Sequence, residues 1–207
     1  MARYTGPRTR RARRLGVALA HLSTKDPDKD SSLRKPYPPG QHGPDRMVKR
    51  TEYGVRLLEK QKLKLAYELL EHQCRRVVAR AKSTGQNAAS RIMVLLEQRF
   101  DVLVFRAGFA TSIRQARQMV RHGAFTLDGA KANMPGEELR PGAVVRLRER
   151  FHHHPLFVSI LARTASRPVP PHLKRAATPF EFTVTGEPLD VEPLLPIELT
   201  RVIEFYA

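Results

Sequence analysis

An α+β fold, mainly helical, is predicted by three observations. Apolar residues recur at helical spacing from about Thr51 to Lys82, from Arg91 to Ala107 and from Ile113 to Arg121. Short alternating segments bounded by turn residues follow between Ala124 and Arg148. Ahead of both, the run MARYTGPRTRRARR holds six arginines, no acid and little apolar content, which predicts an extended basic arm.

Taken in chain order, the arm supplies Arg3, Arg8, Arg10, Arg11, Arg13 and Arg14 beside one aromatic, Tyr4, and is expected to order only on its partner. The stretch to about Arg50 is rich in Pro, Gly, Ser and Asp. Within it, Tyr37-Pro38-Pro39-Gly40-Gln41-His42-Gly43 predicts a tight loop whose small residues let backbone approach a phosphate or a base. Thr51 and Glu52 are the expected N-terminal cap residues of an interrupted helix that runs to about Lys82. Leu63, Ala66, Leu70, Cys74 and Val77 form its core face, and Arg56, Lys60 and Lys64 form a basic stripe at i, i+4 and i+8 expected to meet phosphate. A polar loop, Ser83 to Asn87, leads on.

From Arg91 to Arg150 the pattern is helix, turn, helix and strand pair. The first helix runs to about Ala107 and exits at Gly108. The second is capped by Ser112 or Thr111 and carries Ile113, Ala116 and Val120 on one face, with Arg114, Arg117 and Arg121 on the adjacent one. Gly123 ends it. Ala124–Leu127 and Lys131–Asn133 flank an Asp128-Gly129 hairpin turn, and a second turn at Leu139–Gly142 opens the strand Val144–Arg148. One helix face packs, and the other is expected to meet phosphate.

Charge sets the partner class. With 37 Lys+Arg against 20 Asp+Glu over 207 residues, the formal charge is +17, a self-repulsion that a nucleic-acid backbone relieves through counterion release. Residues 151–207 carry 5 basic and 6 acidic side chains, so the last quarter is not expected to be the main RNA surface. No apolar run approaches the roughly 18 residues of a membrane span, and no signal-peptide pattern opens the chain, which is expected to stay in the cytoplasm. Cys74 stands alone, which excludes an intramolecular disulfide and a cysteine zinc knuckle, and its place on the core face predicts a buried thiol. No metal, cofactor, catalytic residue or small-molecule substrate is expected.

ARYTGP at the start, PGQHG at Pro39–Gly43, EYGVRLLEKQKLK at Glu52–Lys64, then RFDVLVFRAGF, SIRQARQMVRHG and the closing IELTRVIEFYA resemble, in order, the blocks of the bacterial small-subunit ribosomal protein S-four family. The resemblance spans nearly the whole chain and corresponds to the zinc-free form, since residues 1–40 contain no cysteine. It implies an arm and loop segment over 1–50 and a helical domain formed by 51–90 with 151–207. Between those two parts, 91–150 is implied to be inserted as the small RNA-binding module of that family.

The resemblance further implies that the chain is a structural constituent of the small ribosomal subunit and a primary binder of 16S ribosomal RNA at a junction in its 5′ domain, early in assembly. It implies RNA contacts at Arg3, Tyr4 and Pro7, at Gln41 and His42, at Tyr53, Arg56, Lys60 and Lys62, and at Arg99, Arg106, Ser112, Arg114, Arg117, Gln118 and Lys131. Arg and Lys provide phosphate contacts, Tyr and His stack on unpaired bases, and a helix N-terminus such as Ser112 presents backbone donors. Arg46, Lys49 and Arg50 resemble a patch near the channel through which messenger RNA enters, here beside Asp45. A neighbour is implied in the fifth small-subunit ribosomal protein, with the third as a further one, and some members repress their own operon.

Two other classes are weighed. Pseudouridine synthases carry the same module and a catalytic Asp in an Arg-Leu-Asp motif that Arg99-Phe100-Asp101 resembles, but 57 residues after Arg150 leave no room for a catalytic domain, and an Arg-paired carboxylate is the expected state of Asp101. A stress-related RNA chaperone would not need Arg167–Pro171, Phe180–Phe182 or the apolar Ile197–Tyr206 end, all expected to pack on the helical domain. His152–His154 point in different directions on any regular element and are read as RNA or solvent contacts, not a metal site.

Overall fold

The computed structural model describes residues 4, 6–18, 35–45, 49–85, 87–189 and 191–207. It divides into two compact units, one of Met1–Ile92 with Pro193–Ala207 and the other of Met93–Glu192.

In the first unit, helix α1 spans Arg8–Leu15 and ends at Gly16 in the left-handed region. The arm predicted to be extended is therefore helical there. Its physical reason is a short apolar stripe, Ala12 and Leu15 followed by Val17, all three buried, a spacing outweighed in the sequence by the surrounding arginines. Helix α2 spans Glu52–Ala66, with the Thr51 hydroxyl accepting from the Gly54 N–H as predicted. Helix α3 spans Glu71–Lys82. Leu63, Ala66 and Cys74 are buried as expected, but Val78 and not Val77 completes the face because Leu69 and Leu70 break the helical phase between α2 and α3.

The chain returns to this unit at Pro193, and its last helix, α8 (Leu199–Phe205), packs on α2 as expected for the apolar end. One carboxylate ties the two together. Glu71 accepts from Lys60 Nζ (3.2 Å), Lys64 Nζ (2.7 Å) and Tyr206 Oη (2.7 Å). Burial pushes this carboxyl up, and the three hydrogen bonds, from Lys64, Tyr206 and Lys60, overcome that and bring it from 4.5 down to about 2. Burial, together with hydrogen bonds to Cys74 and Glu71, pushes the Tyr206 phenol above its usual range, and burial does the same to the Cys74 thiol.

Helix α4 (Ala88–Glu97) carries the chain from one unit into the next. The single helix predicted to reach Ala107 is in fact two, because Arg99 adopts an extended conformation and starts α5 (Phe100–Arg106) anew. Gly108, at φ 82°, makes the expected exit, and a Cβ there would come within 2.1 Å of the Arg175 guanidinium. Helix α6 spans Ile113–Arg121, with Ser112 as its N-cap. Strands β1 (Phe125–Leu127) and β2 (Ala130–Lys131) form the predicted hairpin, with Asp128 and Gly129 at φ 48° and 84°, the positive values this tight turn requires. β3 is Val144–Leu147.

Residues 151–192 differ from the prediction. Helix α7 (Pro155–Thr164) is followed by β4 (Leu173–Arg175) and β5 (Glu181–Val184), and all five strands form one antiparallel sheet in the order β2-β1-β3-β5-β4. Phe180–Phe182 thus extends the module's sheet instead of packing on the helical domain. Backbone pairing of Val145 with Phe182 and Arg146 with Glu181, long-range in sequence, leaves no local signal beyond alternation. Phe109 sits 6.1 Å from Phe125 and 5.3 Å from Phe182, so one sheet face and the helices share an aromatic core. Arg167 donates to the Phe105 and Ala110 carbonyls and Arg175 to those of Ala107, Thr164 and Ala165, satisfying helix-end acceptors.

Candidate nucleic-acid interface

The best-defined basic surface of the second unit grows from α6. Ser112 Oγ accepts from the Gln115 N–H at 3.3 Å, and Gln115 Oε1 in return accepts from Thr111 N–H (2.8 Å) and Oγ1 (2.7 Å), which fixes the start of the helix. Ile113, Ala116, Met119 and Val120 are buried, so the predicted division into a packed face and an arginine face holds. Along that second face the arginines have different fates. Arg117 is drawn inward, with Nε 2.7 Å from Asp101 Oδ2, while Arg121 and Gln118 are exposed.

At the other end of α6, Gly123 turns at φ 64°, and the Lys131 stem lies 3.0 Å from where a Cβ would stand. Arg148 donates from Nη1 to the Gly123 carbonyl at 3.3 Å. Arg121 of α6, Lys131 of β2 and Arg148, the residue after β3, are thereby gathered around one glycine turn, with His122 exposed beside them. Arg121 and Lys131 are singled out by the sequence, whereas Arg148 and His122 join them only through the fold. Hairpin register, with Thr126 paired to both Lys131 and Arg146, was the signal that places β2 and β3 together.

Several cations expected to face RNA are engaged within the chain. Arg99 donates to Asp101 from Nε (3.1 Å) and Nη2 (2.9 Å), so a fully buried carboxylate is shared by Arg99 and Arg117; the expected Arg-paired Asp101 is found. Arg106 forks onto buried Glu97 at 2.8 and 3.0 Å. The stripe of α2 is not a solvated row: Lys60 is 6% exposed, its ammonium 4.1 Å from the Phe205 ring centroid, and Arg56 pairs with Glu204 at 2.9 Å. Lys62 pairs with buried Glu59 at 2.7 Å.

In the arm, Arg10 and Arg14 are exposed, whereas Arg11 lies over the Tyr4 ring at 4.4 Å and Arg13 over Tyr37 at 4.9 Å. Arg13 also donates to the Lys35, Tyr37 and Pro38 carbonyls, which anchors the loop to α1. Arg8 is half-buried and Pro7 is the N-cap of α1. The loop is tight as predicted: a Cβ on Gly43 would meet the Pro38 carbonyl oxygen at 2.0 Å, and Gln41 and His42 project exposed from it. Lys49 and Arg50 are exposed, and Tyr53 presents a ring that is 64% exposed. Arg3 and Arg46 lie outside the described residues. His152 stacks on Phe180 at 3.9 Å and meets the Leu147 carbonyl, so part of its ring packs within the chain; His153 is exposed.

Residues 3–97 match the family model described as ribosomal protein S4/S9 N-terminal domain, and residues 98–145 match the S4 domain. The chain is 41% identical over 207 residues to the small ribosomal subunit protein uS4 of Rubrobacter xylanophilus, with both chains covered in full. The chain belongs to the uS4 family of small ribosomal subunit proteins. Its likeness to the uS4 of a Geobacillus species (40% over 209 residues) and of Persephonella marina (39% over 210) again covers all of both chains. The uS4 assignment accounts for the order of the sequence blocks, and the S4-domain match falls on α5, α6, β1, β2 and the start of β3, the segment that carries Arg121, Gly123 and Lys131. Among the described residues, no helix is long and apolar enough to cross a membrane.

Proposed function

We propose that this chain is a structural, non-catalytic constituent of the small ribosomal subunit that binds ribosomal RNA. The observation that carries the reading is its full-length identity of 41% to a protein named small ribosomal subunit protein uS4. The physics supports it: a +17 chain presents exposed cations and stacking groups on folded elements, spaced to read the shape of a folded RNA more than a short base sequence.

In finer detail, the target is the 5′ domain of 16S ribosomal RNA. The proposed contacts are Arg10, Arg14, Gln41, His42 and Tyr53 in the first unit and Arg114, Gln118, Arg121 and Lys131 in the second, with Arg148 and His122 added from the geometry. Arg99, Arg117, Arg106, Lys60 and Lys62 serve first to hold the fold, on the strength of their buried carboxylate or aromatic partners. Exposed Lys49 and Arg50 are the proposed contacts to messenger RNA, the fifth small-subunit protein is the proposed protein neighbour, and the proposed compartment is the cytoplasm.

Filter binding across a salt series tests the RNA reading. The full chain should prefer 5′-domain RNA to an unrelated structured RNA of equal length, with log affinity falling steeply and linearly in log salt. Equal affinity for the two RNAs would overturn it.

A further inference from the structure

The antiparallel register puts Lys131, Thr126, Arg146 and Glu181 side by side across β2, β1, β3 and β5. Two residues along, Val144, Thr183 and Lys174 continue the same face onto β4. Residues of the opposite face, Phe125, Val145, Leu147, Phe182, Val184 and Leu173, are all buried. Lys131, Arg146 and Lys174 are exposed, and the threonines between them are half-buried by their neighbours. An antiparallel sheet commonly leaves one face to water, and an ordinary solvated face mixes both signs. Among the described residues this one carries the cations Lys131, Arg146 and Lys174 against two carboxylates, Glu181, which pairs with Arg146, and Asp128 at the edge turn, whose Oδ1 accepts from the Val144 N–H.

The cations are also regularly placed. Lys131 and Arg146 lie two strands apart, as do Arg146 and Lys174, so at the usual strand spacing they step at roughly 10 Å over roughly 20 Å. Threonine hydroxyls fill the gaps as neutral donors. That is the pattern of a surface for a phosphate backbone running across the strands, and it includes Arg146 and Lys174, to which no role is otherwise assigned.

We infer that the exposed face of the five-stranded sheet is a second RNA-binding surface, on which Lys131, Arg146 and Lys174 contact phosphates of ribosomal RNA and Glu181 moderates their affinity. The inference rests on the RNA-binding function proposed above. Glu181, by neutralising Arg146, makes the surface weaker than it would be without it, which gives the test a direction that simple structural damage cannot imitate.

The experiment is filter binding of the full chain to 5′-domain RNA from 0.1 to 1 M salt. Arg146→Gln with Lys174→Gln should make the slope of log affinity against log salt shallower by roughly 1.5, which between 1 M and 0.1 M amounts to roughly 30-fold weaker binding at the lower salt. Glu181→Gln should bind more tightly than the unmodified chain. The inference is overturned by a double variant within twofold of the unmodified chain, as expected for a face that meets an acidic protein or only water, or by weaker binding of Glu181→Gln. Circular dichroism checks the fold; where the double variant is unfolded, Lys174→Gln alone and Glu181→Gln decide on the same criteria. Failure of the unmodified chain to prefer this RNA would instead overturn the proposed function, and the present inference with it.

Discussion

Replacing Asp101 by asparagine removes the one negative charge shared by two nearly buried guanidinium groups. The Arg99 and Arg117 side chains are 9% and 16% exposed, and both lie within 3.1 Å of the Asp101 carboxylate through paired nitrogens. Asparagine keeps the shape but turns one acceptor end into a donor aimed at a cation. Removing one partner of a buried ion pair costs about 3–5 kcal/mol, because the remaining charge is left in a poorly solvating site. Arg117→Ala is milder, since Asp101 keeps Arg99; the loss of charge-assisted hydrogen bonds costs about 1.5–3 kcal/mol. Arg121→Ala, at an exposed position of the same helix, should stay within about 0.5 kcal/mol. For a chain of this size each kcal/mol moves the midpoint by about 2–4 °C, so Asp101→Asn should lower it by roughly 10 °C. Thermal denaturation followed by circular dichroism, with amide exchange across α5 and α6, ranks the three. An Asp101→Asn midpoint within about 1 °C of the unmodified chain, or Arg117→Ala as harmless as Arg121→Ala, would refute the reasoning.

Two further outcomes follow from titratable groups whose pKa folding shifts. The folded-state depression of the Glu71 carboxyl means its stabilisation is complete above pH 4.5 and is lost as pH falls toward about 2; with half the side chain exposed, screening reduces it to about 1 kcal/mol. The midpoint advantage of the unmodified chain over Glu71→Gln should therefore shrink across that window, and a constant gap would contradict it. His172 is buried, neither ring nitrogen has a hydrogen-bond partner among the described residues, and burial pushes its pKa down, against Glu97 and with Arg106. Its neutral form is the one that fits, so its penalty to stability grows as pH falls below 6.5, and His172→Leu should stabilise the chain by about 1 kcal/mol with a widening margin at acid pH. Denaturant titrations at pH 8 and pH 5.5 check this, and a destabilised His172→Leu would show that the imidazole is satisfied.

Local chemistry was legible and long-range chemistry was not. The Thr51 and Ser112 caps, the Gly108 and Gly123 exits, the Asp128-Gly129 hairpin and the α6 faces depend on neighbours within one turn, and each is found where the residues place it. The fate of a cation depends on carboxylates that folding brings from elsewhere. Lys60 meets Glu71 from 11 residues away, Arg117 meets Asp101 from 16 and Arg56 meets Glu204 from 148, so a row of basic residues on a helical wheel does not tell phosphate contact from internal ion pair. The same holds for β4 and β5, whose addition to the module's sheet rests on backbone pairing with β3. In the arm, the three apolar residues Ala12, Leu15 and Val17 were enough to bury one side of a helix despite six arginines in the first fourteen residues.

The central claim, that this chain is an RNA-bound constituent of the small ribosomal subunit, is tested most directly in native cells. Ribosomes are separated into subunits under high-salt gradients, and the chain is quantified by mass spectrometry in each fraction. The account predicts about one copy per small subunit and essentially none in the large subunit or the ribosome-free fraction. A chain found chiefly free, or released from small subunits by a mild salt wash, would contradict it.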